Sequence, residues 1–108
     1  MTSFMVHIDL SAGDTREADY ARLDAAMIEA GFGRFIAADN KAVFHLPLGQ
    51  YCLEAKLNAP AVHQRALAAM HAVGLSGGIV TTAGDSIFSG LKFVRAQAQE
   101  KDSTVPKG

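Results

Sequence analysis

The sequence predicts one α+β domain, a ferredoxin-like βαββαβ sandwich whose antiparallel sheet carries two helices on one face. Three observations predict it. Residues 4–10 and 50–57 alternate apolar and polar side chains with the period of half-buried strands. Residues 15–30 and 59–73 repeat apolar side chains at helical spacing and run into glycines. The 108 residues, 49% of them hydrophobic and 19% charged, suffice for one packed core and leave no room for a second. An order of strand, helix, strand pair, helix, strand requires right-handed crossovers, which bring both helices to the same side of the sheet.

In the first strand Phe4, Val6, Ile8 and Leu10 point one way, and Met5, His7 and Asp9 the other. After the loop SAGD, Asp14 is placed to cap the first helix, with Glu17 completing a capping box. Tyr20, Leu23, Met27 and Ala30 form the inner stripe of that helix, and Gly31 ends it. Two short β-like pieces follow, residues 34–38 and 42–46, joined by a turn at Asp39-Asn40-Lys41. The strand at 50–57 sets Tyr51, Leu53, Ala55 and Leu57 against Cys52, Glu54 and Lys56. Asn58 caps the second helix, and Pro60 falls in its first turn, where a missing N–H is harmless. Val62, Ala66, Ala69, Met70 and Val73 form its inner stripe. Residues 79–82 are a β-branched strand. Residues 86–94, with Ile87, Phe88, Leu91, Phe93 and Val94, fit a short helix as well as a strand. The domain is placed at 1–95, and residues 96–108 read as a flexible tail with little to bury. No further helix exists to cover the second face of the sheet, which is expected to stay open or to be buried in an oligomer.

Composition narrows the function classes. The formal charge of −1, with a first helix rich in acids, lacks the footprint of a tight nucleic-acid binder. The opening residues do not have the pattern of a signal peptide, and no apolar run approaches a membrane span, so a cytoplasmic protein is expected. Cys52 is the single cysteine, with no internal disulfide partner and no flanking cation to activate it.

On the open face, His7, Asp9 and Glu54 are the groups able to hold a divalent cation or run acid–base chemistry. Their ordinary reading is that of solvated residues on a half-buried sheet. His63 and His71 stand eight residues apart on one helix, too far to chelate together, and His45 has no assured neighbour. Gly74, Gly77 and Gly78 precede a strand and open no helix, so they do not form a phosphate loop. Phe4, Phe35 and Tyr51 are expected in the core, with Phe44 on either face, which leaves little for base stacking.

The stretches FMVHIDL, DYARLDAAMIEAGFGRFI, HLPLGQYCLEAKL and VTTAG, spread over residues 4–82, resemble a family of small bacterial proteins grouped with the GhoS-type antitoxins of type V toxin–antitoxin systems. The resemblance implies a ferredoxin-like domain similar to the CRISPR-associated small nucleases, and an endoribonuclease acting on messenger RNA. Those nucleases carry an aspartate at the end of the first strand, a position Asp9 occupies here. By that analogy Asp9 is the catalytic and metal-binding residue, shared across a homodimer around one Mg²⁺ that activates a water, with Arg34 and Lys56 steadying the phosphate. Two other readings stand beside it. One is a non-enzymatic interaction module that pairs through its open face or through residues 87–94. The other is a small-ligand sensor of the same topology.

Overall fold

The computed structural model describes residues 1–10 and 17–96, so the expected Asp14 cap and most of the tail lie outside the described residues. The elements are β1 (Thr2–Leu10), α1 (Glu17–Glu29), β2 (Phe35–Ala37), β3 (Val43–His45), β4 (Gln50–Ala55), α2 (Ala59–Ala72), β5 (Gly77–Ala83) and β6 (Phe93–Arg95). They form two three-stranded antiparallel sheets, β4-β1-β5 and β2-β3-β6.

The first sheet follows the sequence pattern. Phe4, Val6, Ile8 and Leu10 of β1 are buried, as is Tyr51, which pairs with Val6 from β4. Leu23 and Met27 of α1 and Val62, Ala66, Ala69 and Met70 of α2 close the same cluster, so both helices lie on one face. β4 and β5 are each antiparallel to β1 and flank it, with α2 as the crossover between them.

The helix ends show why these segments stop where they do. Asn58 Oδ1 accepts from the Ala61 N–H at 2.9 Å, satisfying a donor that an α-helix leaves open in its first turn. At the end of α1, Gly31 takes φ +102°. That lets its N–H reach the Ile28 carbonyl and the next N–H, of buried Phe32, reach the Met27 carbonyl, each at 3.0 Å. A side chain with a Cβ adopts this left-handed conformation only at a cost. α2 ends in the same way, with Gly74 bonding to His71 and Leu75 to Met70.

The second sheet departs from the single-sheet expectation. The chain leaving α1 touches the first sheet in one bridge, Gly33 with Cys52, and then turns away into the β2–β3 hairpin. β6 pairs with β3 rather than extending the first sheet. Strands of three residues are too short to cover a sheet face, so they gather their own apolar set instead. Ala42, Val43 and Leu46 are buried there, and the Phe44 ring meets Phe88 at 5.4 Å and Phe93 at 5.7 Å. Phe35 corrects its core assignment: it is 45% exposed and packs beside the His45 ring. Within residues 86–94 only Phe93 and Val94 are in a strand, and the rest forms no regular element. In the hairpin turn it is Lys41, not Asp39 or Asn40, that takes the positive φ, while Asn40 Oδ1 accepts from the Ala42 N–H.

Candidate functional site

The sequence-derived site residues fall in three separate places. Asp9 and His7 alternate along the exposed face of β1, opposite Gly78 and Val80 of β5. Gly78 has no side chain to crowd the Asp9 carboxylate. Lys56 is exposed just past the Ala55 end of β4, which pairs with Thr2 at the far end of β1. Seven residues of extended strand separate that end from Asp9, roughly 23 Å. Among the described residues no three His, Cys, Asp or Glu side chains gather into a cluster.

Arg34 sits on the helix side of β4 with its guanidinium engaged by the protein. Nη1 donates to the carbonyls of Leu46, Pro47 and Gln50 at 3.1, 2.8 and 2.9 Å. Nε lies 3.5 Å from the Asp24 carboxylate, and the guanidinium stands 5.5 Å from the centroid of the Tyr51 ring. The Tyr51 hydroxyl donates to the same Asp24 oxygen at 2.5 Å. Burial and then the Asp24 bond push the Tyr51 phenol well above its ordinary range. This network ties α1, β4 and the loop after β3 together. A phosphate at Arg34 Nη1 would have to displace backbone carbonyls.

Two features were not read from the sequence. The first is a cleft of about 960 Å³ between one end of the first sheet and the second sheet with residues 84–91. Ser3, Met5, Cys52 and Glu54 form its floor. The face expected to stay open is therefore roofed at this end, while His7, Asp9 and Val80 are outside the cleft lining. Inside it, Cys52 donates through its thiol to the Phe35 carbonyl at 3.1 Å. Burial, with the Glu54 carboxylate adding to it, raises the thiol above its ordinary range against the opposing pull of the Gly33 backbone.

The second feature is the outer edge of β5. Its sequence GGIVTTA has no charge and no proline, and β5 ends the β4-β1-β5 order. The Gly84 N–H bonds to the Ser3 carbonyl of β1. By the alternation of antiparallel ladders, Gly78, Val80 and Thr82 then exchange bonds with their β1 partners, and Gly77, Ile79, Thr81 and Ala83 turn theirs outward. Val80, on the bare face, is 60% exposed. The signal was present as a β-branched run between glycines, but a sequence does not announce which strand ends a sheet.

No helix among the described residues is long and apolar enough to cross a membrane. Compared with known proteins, the chain matches no family model, no curated protein and no solved structure.

Proposed function

We propose that the protein is a non-enzymatic assembly module that pairs with a second copy of itself along β5. The observation that carries this reading is the uncharged, proline-free outer edge of that seven-residue strand. Soluble proteins usually protect such an edge with lysine, proline or a bulge, because it is a template for another strand. The four outward residues also form a self-complementary set. In a two-fold antiparallel pairing centred on Val80, Ile79 faces Thr81 of the second copy and Gly77 faces Ala83. The Val80 side chains then meet across the axis on the bare face, and the three-stranded sheet becomes six-stranded. The accompanying fold reading is ferredoxin-like, supported by β4–α2–β5 flanking β1 and by the Gly33–Cys52 bridge on the side where a fourth strand would lie.

Sedimentation of the full chain across micromolar concentrations tests the pairing. A particle of twice the 11.4 kDa chain mass is expected. Val80→Lys, which opposes two charges across the axis, is expected to give a folded monomer by circular dichroism. A wild-type monomer throughout, or a Val80→Lys dimer, overturns the proposal.

A second reading is metal-assisted RNA cleavage at Asp9 by a GhoS-like protein using Mg²⁺, and its support is the exposed, uncrowded Asp9 carboxylate at the end of β1. The two readings make different demands on the dimer. Pairing along β5 would hold the two Asp9 side chains roughly 20 Å apart, from strand spacings of ~4.8 Å and a rise of ~3.3 Å per residue. One shared ion cannot bridge that span, so the nuclease needs another subunit arrangement. RNA incubated with wild type and with Asp9→Ala, in Mg²⁺ and in EDTA, decides it. Cleavage lost in both the variant and EDTA supports the nuclease; no cleavage by the wild type removes it.

A further inference from the structure

The cleft beneath residues 84–91 has an uneven chemistry. Phe35, Phe44 and Phe88 line it as aromatic walls, Asp39, Glu54 and Asp85 supply three carboxylates, and no lysine, arginine or histidine lines it among the described residues. Its volume of about 960 Å³ is at the upper end of what small-molecule sites occupy. A second opening, lined by Met5, Ile87, Phe88 and Leu91 among others, shares those residues with it and continues the apolar surface.

Two observations show that the carboxylates are available. Glu54 accepts a single bond, from the Ser3 hydroxyl at 3.3 Å, and Asp39 and Asp85 make no hydrogen bond or ion pair among the described residues. The Glu54 charge also acts inward, since it helps to hold the Cys52 thiol protonated. Carboxylates without cationic partners beside aromatic rings attract positive charge in two ways. The Coulomb term comes from the acids, and the electron-rich ring faces add a cation–π term. Phe44 and Phe88 meet at 61°, an edge-to-face contact in which the two rings are not stacked face on face. A metal ion has no apolar body to bury against the aromatic walls. An anion would meet three like charges.

We infer that this cleft binds a small organic ammonium ion with an aromatic or alkyl body, its charge toward Glu54, Asp39 and Asp85 and its body against Phe44 and Phe88. The site is independent of the β5 edge, so either can fail without the other.

The test is a titration of the ¹⁵N-labelled full chain with 2-phenylethylammonium, read by amide chemical shifts. The uncharged 2-phenylethanol and the anionic 3-phenylpropionate serve as comparison probes. Saturable shifts confined to amides around Cys52, Glu54 and residues 86–91 are expected for the ammonium, at a Kd of roughly a millimolar or below for a ligand of this size. Both comparison probes are expected to bind at least about threefold more weakly. Glu54→Gln and Asp85→Asn, at exposed positions and expected to leave the fold intact, are each expected to weaken the ammonium by about threefold. Absence of saturable shifts up to roughly ten times that concentration overturns the inference. So does equal binding of the anion, or an unchanged Kd in both variants.

Discussion

Replacing Arg34 with alanine separates a structural role for this residue from a role in holding phosphate. The side chain is 16% exposed and its Asp24 partner 28%, so the guanidinium works largely out of bulk water. Its loss removes donors from three carbonyls, of Leu46, Pro47 and Gln50. The Pro47 bond is exposed and water replaces it at little cost, whereas the other two are part-buried. Two part-buried acceptors left short of a donor cost about 1–3 kcal/mol each before water compensates. The lost Asp24 pairing and the contact with the Tyr51 ring add to this, so the expected total is about 3 kcal/mol. With a urea m-value of about 1.5 kcal/mol/M for a chain of this size, the midpoint falls by about 2 M. Arg34→Lys should recover little, because a point ammonium cannot reach three carbonyls and a carboxylate at once. Equilibrium urea unfolding followed by far-UV circular dichroism reads both variants. A midpoint shift below about 0.3 M in Arg34→Ala would refute the clamp, since one exposed surface contact already accounts for that much.

The remaining predictions concern the glycines at the start of β5 and the two shifted side chains. A Cβ at Gly77 would collide with the Asp9 backbone, whereas one at Gly78 would meet nothing. Gly77→Ala should therefore lower stability by about 2 kcal/mol or more and Gly78→Ala by less than about 0.5 kcal/mol, checked by thermal unfolding. The Tyr51 phenol has its folded-state pKa raised by burial and by Asp24. Its contribution to stability is thus complete below the ordinary tyrosine value of about 10 and is lost as pH rises beyond it. Urea midpoints at pH 8 to 11 should fall in the wild type and fall less in Tyr51→Phe. Cys52 stays a neutral thiol at pH 7 because burial and Glu54 raise it. Its alkylation by iodoacetamide should lag a free thiol by about tenfold or more, and its contribution to stability fades as pH climbs past about 8.5.

The parts of the fold legible from the residues were those with one period and one core. Phe4, Val6, Ile8 and Leu10 alternate without a break, and all four are buried. The stripes of α1 and α2 face the same cluster, except that Val73 caps the end of α2 and stands outside it, and Asn58, Gly31 and Gly74 mark three helix ends. The second sheet was not legible in the same way. A three-residue strand is too short to show a period, and β3 pairs with β6 across some fifty positions of sequence that no local pattern encodes. Phe35 shows the consequence: hydrophobicity alone puts it in the core, while the turn away at Gly33 leaves it at a surface. Arg34 reads from the sequence as an available cation, because the carbonyls that occupy it belong to the loop after β3 and the start of β4, more than ten residues on. The cleft escaped for the same reason as the second sheet that helps to build it.

The division into two sheets has a consequence for the order of assembly. Every residue of the main cluster, including the side chains packed around it, precedes Val80. The core of β1, α1, β4, α2 and β5 can close without anything that follows β5. The roof of the cleft comes last, held at its far end by the three residues of β6 on β3. Amide protons of β6 should then exchange with solvent through a local opening that leaves the core intact, far faster than those of β1. The molecule is in this sense a stable base with a hinged cover, and occupancy of the cleft would register as slower exchange in β6 while β1 stayed unchanged.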